Sequence, residues 1–360
     1  MQKKNGKRIL FITKYPESTS PSQRFRIELY KSLLKDYGFR AEISSFFSSG
    51  EYYIIYKSGY IFKKSIFVFK GLVRRFLQLF NIRKYDYIFI LKEAAPLGPP
   101  IFEWIYIKIL NKKVIYDFDD AIWISKISEY NALAMIFKNS ERVKSICKWA
   151  YKVSCGNAHL CSYAKKFNLN VIYNPTCVNT KSHHNIICNH DVEKITIGWT
   201  GSFSTLIYMD LIIPVLKRLQ SKYDFNIKII CNQKPSFKLK NIRYVEWSVE
   251  NEIIELSTCQ IGLMPLTNDE WSVGKCGFKI IQYLSLEIPA ISSSVGVNKT
   301  IIEHGVNGFL CDTEEDWYNC IEKLILNTQL RKEFGAKGRK KIIDKYSLGS
   351  NKLNFIGLFQ

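Results

Sequence analysis

Short apolar runs alternate with stretches of helical periodicity along most of this chain, and no other feature restricts its fold as much. Arg8–Thr13 reads as a strand. Residues 22–37 carry Phe25, Leu29, Leu33 and Leu34 at helical spacing, and 39–46 returns to a strand pattern. Strand-like runs follow at 85–91, 113–117 and 153–155, with helical segments near 100–110 and 140–150 between them. Such βα alternation makes a mostly parallel sheet clad in helices, with its ligand crevice beyond the carboxyl ends of the strands. The pattern restarts at Lys194-Ile-Thr-Ile-Gly-Trp-Thr-Gly-Ser-Phe-Ser-Thr205 and continues through 225–231, 242–245 and 260–266, with helices at 314–326 and 330–341. The fold class is therefore α/β, and 360 residues give each of two Rossmann-like domains a core of its own. No Gly-x-Gly-x-x-Gly follows the first strand, which argues against a dinucleotide-dependent dehydrogenase.

The ten cysteines contain no Cys-x2-Cys pair, and the sequence opens on Met-Gln-Lys-Lys-Asn-Gly-Lys-Arg rather than on an apolar leader. These features suit reduced core cysteines in a cytoplasmic protein better than a zinc site or a disulfide framework. Residues 180–190, with His183, His184 and His190, are polar and aperiodic; they read as a linker, with no metal bound. The net charge of +20 is uneven: 1–180 holds 30 Lys+Arg against 13 Asp+Glu, or +17, and 181–360 holds 22 against 19, or +3. A basic domain can face nucleic acid, an anionic membrane leaflet or an anionic substrate. Nucleic acid is not the expected partner, because the cations lack the aromatic platforms of single-strand readers.

Three segments of the basic half stand out. A Ser- and Pro-rich loop after the first strand leads to Arg24 and Arg26 at a helix start, where they either fork onto an acceptor phosphate or carboxylate or are simply solvated. Residues 52–84 interrupt the alternation. Drawn as a helix, Ile66, Phe69, Val73, Phe76, Leu77 and Phe80 share one side, and Lys63, Lys70, Arg74 and Gln78 share another. Five cations at Lys63, Lys64, Lys70, Arg74 and Arg75 exclude a spanning helix. A basic, Phe-rich amphipathic helix suits an anionic membrane surface, and the alternative is a core helix with wet cations. Third, Tyr116-Asp-Phe-Asp-Asp120 sets three carboxylates at a strand end, where they can position an acceptor hydroxyl and take its proton or cap the next helix.

In the balanced half, the key stretch runs from Gly274-Lys-Cys-Gly-Phe-Lys279, through an apolar helix, to Ile288-Pro-Ala-Ile-Ser292 and Gly296-Val-Asn298. Lys275 and Lys279, four apart at a helix start, face one way, and the positive end of the helix dipole favours an anion such as a diphosphate. Gly201 and Ser202 open a second loop-to-helix start after the strand at 195–200. An ordinary αβ pair with surface lysines is the competing reading.

These motifs resemble the retaining GT-B glycosyltransferases known as glycosyltransferase group 1, or family four. The likeness rests on Gly274-Lys-Cys-x-x-Lys279, Ile197-Gly-Trp-x-Gly-Ser202, Cys155-Gly-Asn-Ala-His-Leu160, Val171-Ile-Tyr-Asn-Pro-Thr176, Gly262-x-x-Pro-Leu266 and Ile301 to Leu310, and spans nearly the whole chain. The resemblance implies two Rossmann-like domains facing each other across a cleft: 1–180 for the acceptor, with 52–84 inserted, and 181–345 for the donor. It also implies that 346–360 crosses back onto the first domain. The resemblance further implies a nucleoside diphosphate sugar as donor, no need for a metal, and retention of the anomeric configuration. By the same likeness Trp247 and Ser248 neighbour the base, and Val295, Gly296, Val297 and Asn298 line the phosphates. Asp119 and Asp120 stand where relatives have a His-Asp pair. Two departures matter. The family's Glu-x7-Glu falls on Gly274 and Gln282, so Gln282 is left for the ribose and Asp269 or Glu270 for the sugar. Relatives also place Arg and Lys after the first glycine, so here Lys275 and Lys279 supply more of the charge.

The chain is thus expected to move a hexosyl or related group onto a lipid-linked or oligosaccharide acceptor in cell-surface polysaccharide, lipopolysaccharide or glycolipid synthesis. The expected location is cytoplasmic, against the inner face of the membrane. A catalytically silent sugar-nucleotide-binding subunit and a nucleic-acid binder are the alternatives.

Overall fold

A computed structural model describes residues 6–55, 57, 59–124 and 140–360. Residues 1–5, on which much of the expectation about the N-terminus rests, and Tyr56 and Ser58 within 52–84, lie outside the described residues. The chain forms two compact units, 1–175 with 352–360, and 176–351.

In the first unit six parallel strands are ordered β2-β1-β3-β4-β5-β6: β1 Arg8–Thr13, β2 Arg40–Ser45, β3 Tyr87–Leu91, β4 Lys113–Phe118, β5 Lys152–Cys155 and β6 Val171–Tyr173. The second repeats the design in the order β12-β11-β10-β7-β8-β9: β7 Thr196–Gly201, β8 Asn226–Cys231, β9 Ile242–Glu246, β10 Ile261–Met264, β11 Ala290–Ser293 and β12 Gly308–Cys311. Central strands are apolar on both faces, as in Ile9-Leu-Phe-Ile12 and Ile88-Phe-Ile90, because helices cover both sides of a parallel sheet. The strand order reverses between β1 and β3 in one sheet and between β7 and β10 in the other. Crevices open beyond the carboxyl ends at such switch points. All ten cysteines are free, and nine are buried.

Several elements depart from the sequence pattern. The helix anticipated over 22–37 is broken into Pro21–Arg26, a 3-10 turn Glu28–Tyr30 and Lys31–Asp36, since Arg26 turns inward. Residues 180–190 are no linker: His184, Cys188 and His190 are buried in the second unit, His190 Nε2 lies 2.9 Å from the Glu287 carbonyl, and Arg339 donates to the carbonyls of Thr180 and His184. Residues 346–351 also stay with the second unit, where Val178 N–H donates to the Tyr346 carbonyl and Asn351 Nδ2 to that of Lys345. Residues 352–360 complete the first unit. There Phe355 stacks on Tyr30 at 3.7 Å between ring centroids, and Phe359 meets Phe11 and Tyr87 edge-on.

The helix Ile61–Leu79 runs across the first unit on Phe46 and Phe47, with Phe67, Val68 and Leu72 packed against them. Its most buried positions are Gly71 and Arg75. Burying arginine rather than the phenylalanine stripe departs from the core-helix alternative, in which the stripe faces in and the cations are wet.

Candidate functional site

The second unit's switch point gathers the ends of three strands. β7 closes on Gly201, whose missing side chain is filled by neighbours: a Cβ there would stand 2.8 Å from Lys279 Cε, 2.8 Å from Trp199 Cη2 and 2.9 Å from Thr205 Oγ1. Lys279 lies in the first turn of the helix Phe278–Ser285, with Nζ 3.5 Å from Thr205 Oγ1 and 5.0 Å from the centre of the Trp199 ring. That helix starts at Gly277, in the left-handed region at φ +67, where a Cβ would come within 2.3 Å of Ile301 Cδ1 and 3.2 Å of Val297 Cγ1. Gly296, at φ +53, presses on Val273, with its would-be Cβ 2.8 Å from the Val273 carbonyl oxygen. Three strand-end loops are thereby closed on one another. An ammonium group and the positive end of a helix share this corner, which makes it a place for anionic oxygens.

The other anticipated donor residues fall into two groups. Lys275 is half-buried in the loop ahead of the same helix, its Nζ 5.5 Å from the Trp271 ring centre. Val297 and Asn298 pack on Gly277, Val295 is buried beside them, and Asn298 Nδ2 donates to the Ser293 carbonyl at 3.1 Å. Gln282 is buried on the helix, and its side-chain amide makes no hydrogen bond to another described residue. Ser202 sits at the end of β7, and the next N–H, of Phe203, donates to Asn232 Oδ1 at 2.8 Å; sequence reasoning missed Asn232. The second group is occupied locally. Asp269, anticipated at the sugar, caps the helix Glu270–Val273: one oxygen accepts from Ser272 N at 2.7 Å and the other from the Thr267 hydroxyl. Glu270 is exposed in that first turn. Gly274 ends the same helix. Ser248 and Asn251 bond each other's backbone ahead of the helix Glu252–Ser257, and Trp247 Nε1 donates to Glu252 at 2.9 Å.

In the first unit the carboxylates at the end of β4 and just past it fall into two sets, Asp117 with Arg26 and Asp119 and Asp120 with Lys92. Asp117 is fully buried and paired with Arg26: Arg26 Nε donates to Asp117 Oδ2 at 2.9 Å, and Ser154 Oγ donates to Oδ1 at 2.5 Å. Arg26 also donates to the Asn174 carbonyl at 2.5 Å, which ties it into the sheet. Arg24 is likewise buried, its guanidinium 5.0 Å from the Phe25 ring centre. Both arginines are therefore buried, unlike the reading in which they are simply solvated. Asp119 and Asp120 are bridged by Lys92, at 2.7 Å to each, with Ser22 Oγ accepting from the same ammonium at 3.2 Å. Burial pushes the Asp119 carboxyl up, but Lys92 and then Arg26 outweigh it and hold the group ionised below the usual carboxylate range. Burial alone would lower Lys92; the two aspartates raise it instead. Lys92, with its backbone at φ +64 just past β3, belongs to no motif and was not anticipated.

Residues 194–327 match the protein family described as glycosyl transferases group 1. No curated protein matches the chain in sequence. Among solved structures, the chain is similar to sucrose-phosphate synthase from Thermosynechococcus elongatus (10% identity, 98% of each chain covered, TM-score 0.68). It is also similar to a glycosyltransferase from Rickettsia africae ESF-5 (14% identity, 99% of this chain and 98% of that one, TM-score 0.67). A third is HepE from Anabaena in complex with UDP-glucose (12% identity, 97% and 98%, TM-score 0.68). The fold is GT-B.

Proposed function

We propose that the chain transfers a sugar from a nucleoside diphosphate sugar to an acceptor, with retention of anomeric configuration, and that the donor is bound at the β7/β10 switch point of the second unit. The single observation that carries this reading is the closure of Lys279 over Gly201 at the start of the helix Phe278–Ser285. Lys275 and Lys279, with the helix start, meet the charge that grows on the departing diphosphate. They take the part a divalent cation would otherwise play, so transfer proceeds without a metal. Gln282, a largely buried residue, offers an amide, donor and acceptor together, to a ribose hydroxyl. HepE, a structural neighbour, has been seen with UDP-glucose, which favours a sugar nucleotide as the guest here.

In the first unit, Asp119 and Asp120 hold the acceptor hydroxyl through an arrangement fixed by Lys92. The acceptor is lipid-linked or an oligosaccharide destined for cell-surface polysaccharide, lipopolysaccharide or glycolipid, and the chain works in the cytoplasm against the inner face of the membrane. Sugar nucleotides are to be screened by thermal stabilisation and the best donor tried on lipid-linked acceptors with and without EDTA. Transfer that survives EDTA in the wild type and collapses in Lys279→Ala supports the assignment. Donor binding with neither transfer nor slow donor hydrolysis would leave a silent binding subunit.

A further inference from the structure

The helix Ile61–Leu79 is packed inside out. A Cβ on Gly71 would stand 2.2 Å from the Phe46 ring, so the glycine lets the helix backbone rest directly on that ring. One turn on, Arg75 is fully buried. It donates to the carbonyls of Thr13 at 2.7 Å, Ala94 at 2.8 Å and Ser44 at 3.1 Å, and to Ser44 Oγ at 2.9 Å. Rolling the helix to hide its phenylalanines would strip the guanidinium of these acceptors, each a buried charge-assisted bond. The register is therefore fixed with the apolar stripe outward: Phe62 is 79% exposed, Phe69 67%, Phe76 57% and Phe80 72%, with Ile66 and Val73 between them. Single exposed apolar residues are ordinary, but a continuous stripe along five turns marks a surface that meets something apolar.

The charge around the stripe says what. From Tyr52 to Tyr85 there are eight Lys and Arg and no Asp or Glu. Lys63 and Lys70 are exposed on the edge of the stripe, and the nearest preceding acid, Glu51, is held by Arg74 at 2.6 Å. A basic rim favours an anionic plane, and two such faces from two copies would repel each other. Among the described residues no helix is long and apolar enough to cross a bilayer. We infer that the outward face of the helix Ile61–Leu79 lies flat in an anionic lipid surface, its phenylalanines at the acyl boundary and Lys63 and Lys70 among the headgroups. This names the surface for the membrane location proposed above and rests on that reading.

The test floats the full chain with vesicles of phosphatidylcholine holding about a third phosphatidylglycerol, and with vesicles of phosphatidylcholine alone. The wild type should float with the anionic vesicles and poorly with the neutral ones. Phe69→Glu/Phe76→Glu should lower the bound fraction about tenfold or more. It should keep its thermal unfolding and its stabilisation by a sugar nucleotide. Lys63→Glu/Lys70→Glu should lose the preference for anionic lipid. A wild type that ignores anionic vesicles, or a Phe69→Glu/Phe76→Glu protein that floats as well as wild type, overturns the inference. So does a wild-type dimer that the same double variant splits, since a second copy would then cover the face. Donor stabilisation is read in the second unit, so its loss with vesicle binding intact would sink the transferase reading and leave the lipid surface standing.

Discussion

Lys279 passes directly over Gly201, with room between its Cε and the glycine backbone for nothing larger than hydrogen; a methyl group there would stand 2.8 Å away. Gly201→Ala should push Lys279, Trp199 and Thr205 apart and weaken sugar-nucleotide binding about tenfold, or about 1.4 kcal/mol, as read by titration. Lys279→Ala leaves the backbone in place, and should lower turnover about 10²- to 10³-fold while thermal unfolding moves little. Parallel loss of folding in Lys279→Ala would mean the lysine is a structural prop.

Lys92→Met removes the shared counter-ion of Asp119 and Asp120. The expected loss is about 2–3 kcal/mol at neutral pH, toward the lower end for a buried pair because the Lys92 side chain keeps 26% exposure. The pH dependence gives a sharper check. In the wild type the Asp119 pKa is lowered on folding, so its contribution is present above the ordinary carboxylate pKa and fades as pH falls through the lowered one. With Lys92 gone, burial is the largest remaining influence and raises that pKa. The deficit of the variant should then shrink on acidification. Unfolding midpoints of both proteins between neutral and mildly acid pH would show it, and a constant gap would contradict the pairing.

Arg26→Ala should act on stability. Losing one partner of the buried Arg26–Asp117 pair leaves the other uncompensated, a loss of about 3–5 kcal/mol seen in chemical denaturation. A variant of wild-type stability with a raised KM for acceptor would return Arg26 to the acceptor role.

Gln282→Leu separates fold from function. The residue is 4% exposed and its amide makes no hydrogen bond to another described residue, so an apolar replacement of similar size should cost little in thermal unfolding. Affinity for the sugar nucleotide should nonetheless fall about tenfold, the usual scale for losing one hydrogen bond to a ligand.

What the sequence revealed follows from how local each signal is. Gly201 and Lys279 were legible because a strand ending in glycine and a helix entered through glycine both announce themselves within a few residues. The Asp269 cap was legible in principle, since Thr267-Asn-Asp-Glu-Trp-Ser272 carries an N-cap residue three before the serine it holds. Lys92 was not: it stands alone after β3, and its partners come from the turn just past β4, 28 residues on in the case of Asp120. Helical periodicity found the stripe on 61–79 but gave no sign of which side faces in, because that is decided by Thr13, Ser44 and Ala94 accepting from Arg75. Composition likewise made 180–190 look like a spacer, when its carbonyls are taken by Arg339, 155 residues away in the case of His184.

The tail that fills the first unit delays completion of that unit's core to the last residues made. Phe355, Leu358 and Phe359 are completely buried, packed on side chains from β1, β3 and the turn at Tyr30. During synthesis, the N-terminal sheet leaves the ribosome first yet lacks part of its interior until 352–360 follow. The second unit is itself complete only at residue 351, so the first, though begun earliest, cannot close its core ahead of the second.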